Sequence, residues 1–174
     1  MASDGACRRQ VREAGVVYEV FVRSARCRPC GELETLPPDF VCHGRLDSVS
    51  SIGAHLLGHA GIVSDEAAAA LLAGVPARTR RSWRQRFADR AHLLAGQLSA
   101  FCVLFGAAGC LDAPLAEGRV FQAIEATWRA AVRRFSVPPA FVLANLVLGG
   151  ELLMSRVDLP HPDFPPRRER GRAA

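Results

Sequence analysis

The chain has 174 residues, of which 49% are hydrophobic and 22% are charged. This composition excludes wholesale disorder and a collagen-like fibre, and the length excludes a large multidomain enzyme. The net charge is +5, and all 22 basic residues are arginine. A net positive charge of this size is compatible with nucleic-acid binding but does not require it. The positions of the basic residues along the chain are therefore more informative than the net charge.

Residues 1–40 are predicted to form a small β module. The run 16–22 is rich in β-branched and aromatic residues and lies between Gly15 and Ser24, which is typical of a strand beside a turn. A C-x-x-C pair, Cys27 and Cys30, follows this strand. The six cysteines would suit disulfides in a secreted protein, but residues 1–15 lack the apolar core of a signal peptide. We therefore expect a cytoplasmic, bacterial protein whose paired cysteines favour a metal.

Residues 46–90 change to a helical period. Val49, Ile52 and Leu56 recur at three- and four-residue spacing, which predicts a first helix. Ser64 is the predicted N-cap of a second, alanine-rich helix that ends at Gly74. A third helix is expected to open near Ala77.

The second and third of these helices have the pattern of a helix-turn-helix. Ala70 is the small residue expected at the helix contact, Gly74 tolerates the positive φ of the turn, and three apolar residues anchor the third helix. Those anchors are Val75, Trp83 and Phe87. The opposite face presents side chains suited to reading a major groove, with arginine for guanine or phosphate and glutamine for adenine. These side chains are Arg78, Arg81, Ser82 and Gln85. The alternative interpretation is an ordinary helical hairpin with a solvated arginine face.

The stretch DEAAAALLAGVPARTRRSWRQRF resembles the homeodomain-like helix-turn-helix of bacterial insertion-sequence transposases and their stand-alone relatives. The preceding RCRPCGELETLPPDF is similar to the zinc ribbon of the same proteins, and the two matches together cover about residues 7–87. The resemblance implies a DNA-binding protein and adds Thr79 to the candidate DNA contacts. Two positions depart from the family pattern, because Arg80 and Arg84 stand on the side expected to be buried. Either these arginines extend to phosphates or the domain is degenerate.

The resemblance also implies zinc, on an incomplete set of ligands. A full ribbon has two C-x-x-C knuckles, whereas the first is reduced here to D-G-A-C, with Asp4 in place of a cysteine. Because zinc accepts carboxylate oxygen, a tetrahedral set of Asp4, Cys7, Cys27 and Cys30 is one interpretation. Cys42 or His43 are substitutes for the fourth ligand. The alternative is that these cysteines are unligated thiols of a degenerate ribbon, or that the sequence begins within a longer chain.

Residues 91–157 are predicted to form C-terminal helices, followed by a disordered tail over residues 158–174. The stretch 91–111 contains no charged residue and is long enough to span a bilayer, although a buried core helix is the favoured interpretation. A later amphipathic helix is expected to bury an aromatic and aliphatic stripe. Its members are Phe121, Ile124, Trp128, Val132 and Phe135. This helix and the last one offer two apolar faces, so we expect a homodimer.

No arrangement of residues predicts catalysis, because the sequence lacks a Gly-rich phosphate loop, a Ser-His-Asp set and an H-E-x-x-H motif. Cys102 and Cys110 are interpreted as buried hydrophobes, and the pair His55 and His59 as structural. The predicted fold is mainly α, with a tri-helical helix-turn-helix, a small N-terminal zinc-ribbon-like β-hairpin and a C-terminal helical part. The predicted function is non-catalytic binding of double-stranded DNA by a transcriptional regulator or mobile-element derivative. The alternative is a helical interaction or membrane-associated protein.

Overall fold

Three strands precede five helices in the computed structural model, which describes residues 2–36, 38–42, 44–104, 111–150 and 152–153. The strands are β1 (Ala2–Glu13), β2 (Val16–Arg26) and β3 (Leu33–Leu36), and the helices are α1 (Val49–His59), α2 (Asp65–Leu71), α3 (Ala77–Leu104), α4 (Ala116–Val132) and α5 (Ala140–Val147). This order confirms the predicted mainly-α fold with an N-terminal β-hairpin. His43, Cys110 and the predicted tail lie outside the described residues.

The strands form one antiparallel sheet in the order β1-β2-β3. β1 and β2 pair along their whole length, from Glu13 opposite Val16 to Ala2 opposite Arg26, with one shift of register near Gly5. Because side chains alternate between the two faces of a strand, Val22 is buried while its neighbour Phe21 is exposed. Only one face of the hairpin therefore packs on the rest of the protein.

Arg12 fastens the hairpin to the helices. Its backbone N–H donates to the carbonyl oxygen of Leu46 at 2.7 Å, and its own carbonyl accepts from the N–H of Ser48 at 2.9 Å. Its side chain donates through Nε to Asp47 Oδ1 and through a terminal nitrogen to the carbonyl oxygen of Gly74, both at 2.7 Å. The turn end of the hairpin is thus tied to the segment before α1 and to the turn after α2.

α2 begins at the predicted cap, but it ends at Leu71, before the predicted end at Gly74, because residues 72–74 already form a turn. The Ser64 hydroxyl accepts from the N–H of Ala67 at 3.2 Å, and Gly74 has a φ of +71° in the turn that follows. The predicted contact residue is wrong, however, because Ala68 is buried and Ala70 is exposed. The reason is that Ala68 is the residue of α2 that faces Gly58 of α1, where a Cβ placed on Gly58 would lie 3.5 Å from Ala68 Cβ.

α3 is continuous through the predicted boundary between residues 90 and 91. Its second half buries Ala91, Leu94, Leu98 and Cys102, as expected for a core helix. None of the helices in the described part of the chain is long and apolar enough to cross a membrane.

The predicted apolar stripe of α4 is confirmed in part, because Ile124 is buried and Phe121 packs partly buried against the core, whereas Val132 and Phe135 are exposed. The buried residues are smaller and lie mostly one position earlier, namely Val120, Ala123, Ile124, Thr127, Ala130 and Ala131. Small side chains allow α4 to approach α3 closely, and Thr127 Oγ1 lies 3.2 Å from Cys102 Sγ. The larger side chains stay at the edges of this contact. Trp128 is only half-buried, and Phe135 lies beyond the end of the helix with 57% of its surface exposed.

α5 is anchored by one buried amide. Asn145 donates through Nδ2 to the carbonyl oxygens of Asp39 and Val41, both at 3.2 Å. These bonds join the last helix to the segment that links the sheet to α1.

Candidate nucleic-acid interface

The first half of α3 has a buried face that fixes its rotation. Trp83 and Phe87 retain only 1% and 2% of their surface, and Val75 in the preceding turn is buried beside them. The Trp83 ring meets the ring of His55 edge-on, with 6.0 Å between centroids, and the Phe87 ring stacks on Phe121 at 5.3 Å. The three anchors predicted from the sequence therefore lie in the core.

The opposite face of α3 brings together four of the five predicted DNA contacts. Arg78, Arg81 and Gln85 are exposed, Ser82 is half-buried, and all four line one surface concavity. Within the described part of the chain, Arg78 and Arg81 make no hydrogen bond or ion pair. Their guanidinium groups are available to a ligand.

Two side chains on this face are oriented by neighbours one turn further along α3. The Gln85 amide donates to Asp89 Oδ1 at 2.8 Å, and Arg86 Nε donates to Ser82 Oγ at 3.2 Å. Arg86 also lines the concavity, and sequence reasoning missed it. Its spacing of eight residues from Arg78 is the helical signal that would have identified it.

Thr79 lies apart from the face of Arg81 and Gln85. It is half-buried and lines a depression between α3 and the hairpin, together with Arg12 and Asp47. A ligand on the predicted face would meet Thr79 only at this border with the hairpin.

Arg80 and Arg84 point away from the exposed face, toward α1. A terminal nitrogen of Arg84 lies 3.2 Å from His59 Nδ1, and Arg80 Nε is buried without a hydrogen-bond partner in the described chain. Burial lowers the pKa of His55, and the charges of Arg84 and Arg80 lower it further. Both arginines are half-buried, and neither lines the concavity formed by Arg78, Arg81, Ser82 and Gln85.

The C-x-x-C pair forms a tight turn between β2 and β3. The N–H of Cys27 donates to the carbonyl oxygen of Glu32, and the carbonyl oxygen of Cys27 accepts from the N–H of Gly31, both at 2.8 Å. Hydrogen bonds from the backbone and side chain of Cys30 lower the pKa of the Cys27 thiol. Zinc binds cysteine in its thiolate form, so a lowered pKa of Cys27 suits this pair of cysteines to be two ligands of a zinc site.

Cys7 and Cys42 are not brought to this turn. Cys7 pairs with Val22, five residues before Cys27, which is about 16 Å along the strand. Asp4 lies in β1 beside the register shift, and Cys42 is buried in the helical core, where burial raises the pKa of its thiol. No group of three or more His, Cys, Asp or Glu side chains that could hold a metal occurs among the described residues. Zinc therefore stays a prediction.

The remaining candidates lie in structural positions. Cys102 is buried, and the His55 and His59 rings are stacked with 6.5 Å between centroids. His59 meets the Arg84 guanidinium rather than a further ligand.

Comparison of the chain with models of protein families, with curated proteins and with solved structures gives no match.

Proposed function

We propose that the protein binds double-stranded DNA in a sequence-specific and non-catalytic manner. In this proposal α2, the turn at Gly74 and α3 act as a helix-turn-helix, and α1 completes a tri-helical unit. The observation that carries the proposal is the division of α3 into a core face with Trp83 and Phe87 and an exposed face with Arg78, Arg81 and Gln85. The corresponding role is that of a cytoplasmic transcriptional regulator or mobile-element derivative.

The distribution of charge supports an anionic partner. Residues 77–90 contain six arginines and one aspartate. The first turn of α3 contains no acidic residue, although acidic side chains are normally favoured there by the helix dipole. An N-terminus that carries arginines instead suits the approach of a phosphate backbone.

The chemistry of the exposed face supports base recognition as well as charge attraction. Arginine donates two parallel hydrogen bonds to guanine, and glutamine pairs with the edge of adenine. Arg81 and Gln85 are four residues apart, so they project from neighbouring turns of one face. Arg78 lies closer to the start of the helix, where contact with phosphate is the expected role.

The hairpin supports the orientation of α3. Arg12 donates to the carbonyl oxygen of Gly74, which is the residue that turns the chain between α2 and α3. This bond holds the turn in place from outside the three helices. The exposed face of α3 is therefore presented by a braced unit rather than by a free helix.

Selection from random duplexes at moderate salt tests the proposal. We expect enrichment of one sequence, and Arg81→Ala should weaken its binding by about 1–3 kcal/mol if Arg81 reads a base. If Arg81 contacts only phosphate, the slope of log K against log salt should fall by about one unit. Arg129→Ala is the matched control, because Arg129 is an exposed arginine of α4 on a different surface.

Trp83→Ala separates the two faces of α3. Truncation of this buried ring should cost about 3–5 kcal/mol of folding free energy, whereas Arg81→Ala should leave folding intact. If no duplex is enriched and Arg81→Ala binds like the parent protein, the DNA-binding proposal is wrong.

A helical interaction protein is the second candidate function. The observation that favours it is a set of exposed apolar side chains at the far end of α3, where Val103 and Leu104 retain 67% and 78% of their surface. Apolar groups exposed together mark interaction surfaces.

A further inference from the structure

A second concavity adjoins the one lined by Arg78, Arg81, Ser82 and Gln85, and it shares Arg81 and Gln85 with it. It has a volume of about 520 Å³ and is enclosed by the end of α1, the middle of α3 and the start of α4. Pockets that hold small organic ligands have volumes of roughly 300–1,000 Å³. We name this concavity the α1/α3/α4 pocket.

The lining of the α1/α3/α4 pocket is mostly apolar. Leu56 and the stacked rings of Phe87 and Phe121 form its floor. Ile62 and Leu115 also line it, and they retain 56% and 69% of their surface. An apolar ligand bound here would remove these two exposed aliphatic side chains and the aromatic floor from water, which is favourable.

The rim of the pocket carries positive charge. Arg81 and Arg84 line it together with His59, and Glu117 is the one acidic residue of the lining among the described residues. The Arg84 guanidinium is already engaged by His59, whereas Arg81 makes no hydrogen bond or ion pair in the described chain. An anionic group at the mouth would therefore meet an unpaired guanidinium.

We propose that the α1/α3/α4 pocket binds a small organic carboxylate whose other end is an apolar chain or ring. The apolar end packs against Phe87 and Phe121, and the carboxylate accepts hydrogen bonds from Arg81 at the rim. Guanidinium and carboxylate form strong charge-assisted hydrogen bonds, which a neutral or cationic head group does not form. The inference does not depend on the proposed DNA binding, although Arg81 and Gln85 border both concavities.

Calorimetric titration of the full chain with octanoate, octanol and octylamine tests the inference, because the three probes share a chain and differ in head-group charge. We expect octanoate to bind and to bind more tightly than the other two. Arg81→Gln should weaken octanoate binding about fivefold, the value of an exposed ion pair of about 1 kcal/mol. Arg78→Gln is the matched control, because Arg78 lies on the same helix and does not line the α1/α3/α4 pocket.

Ala88→Phe tests the location of the site, since Ala88 is exposed on α3 and lines the pocket. The added ring should fill the pocket and abolish octanoate binding while the thermal unfolding transition is retained. Four results would overturn the inference: no octanoate binding at millimolar concentration, equal binding of octanoate and octanol, equal weakening by Arg81→Gln and Arg78→Gln, or octanoate binding unchanged in a folded Ala88→Phe. A fifth result would also overturn the inference: a dimer in light scattering that Ile62→Glu converts to a monomer would assign the pocket to a second copy of the chain.

Discussion

At the scale of single residues, Arg12 connects the two halves of the molecule. Its ion pair with Asp47 is largely withdrawn from solvent, with side-chain exposures of 17% and 4%. The pair of Arg8 and Glu19 on the same hairpin is exposed, at 70% and 52%. Two ion pairs of the same chemistry therefore differ mainly in burial, and burial decides what the loss of either cation costs.

Arg12→Ala should destabilise the protein by about 3–5 kcal/mol, because it leaves the buried Asp47 carboxylate without its cation. Arg8→Ala, the control, should change the free energy of unfolding by less than about 1 kcal/mol. Urea denaturation of both variants measures the difference. Equal losses in the two variants would contradict the role assigned to Arg12.

Gly53 illustrates how a glycine permits close packing inside a helix. A Cβ at this position of α1 would lie 2.7 Å from Cγ of Phe141 in α5, whereas a Cβ on Gly96 in α3 would meet nothing within 4 Å. Gly53→Ala should therefore cost about 1–3 kcal/mol by overpacking. Gly96→Ala should stabilise by about 0.5–1 kcal/mol through helix propensity alone. Thermal unfolding compares the two, and a stabilising Gly53→Ala would show that α1 and α5 pack less closely.

At the scale of elements, the sequence predicted those features that local chemistry determines. The Ser64 cap and the positive φ of Gly74 depend on a few adjacent residues, and Trp83 and Phe87 share a face because four residues make about one helical turn. The inner face of α4 was not predictable in this way. It depends on the close approach of α3, which buries the small Ala123 fully, while the larger Phe121 stacks partly buried on Phe87 at the edge of the contact.

The register of the hairpin was also beyond the reach of local patterns. Cys7 and Cys27 belong to one ribbon-like motif in the sequence, but the pairing of Cys7 with Val22 separates them along the sheet. Cys27 and Cys30 lie together because the turn between β2 and β3 joins them directly. Half of the predicted metal site is thus a local feature, and the other half depends on strand pairing.

This division predicts how a zinc content would respond to mutation. The proposed zinc site predicts about one zinc per chain in the purified protein, and Cys27→Ser should release it, because Cys27 is one of the two thiols that the turn brings together. Cys7→Ser should retain the metal, since Cys7 lies away from the turn. Elemental analysis of the three proteins provides the measurement. Loss of zinc in Cys7→Ser would support the four-ligand set, and a metal-free parent protein would exclude the site.

At the scale of the whole molecule, α3 separates two chemically different ends. A helix of 28 residues is about 42 Å long, with the exposed arginines in its first turns and Leu104 at its last. The contact between Cys102 and Thr127 places the end of α3 beside the second half of α4. Phe135 follows α4 and is exposed, so exposed apolar side chains from the end of α3 and from the segment after α4 lie at the same end of the molecule.

We expect this apolar end to join two copies of the chain. In a two-fold dimer each copy contributes the same surface to the interface. A patch centred on Leu104 and Phe135 would therefore pack against the same patch of the second copy. Light scattering at micromolar concentration should then give twice the 18.8 kDa mass of the chain. Leu104→Glu should yield a monomer, because it would bury two unpaired carboxylates. Val17→Glu, which changes another exposed aliphatic residue, on the hairpin, should leave the dimer unchanged. A monomeric parent protein, or a dimer that persists in Leu104→Glu, would refute assembly through this end.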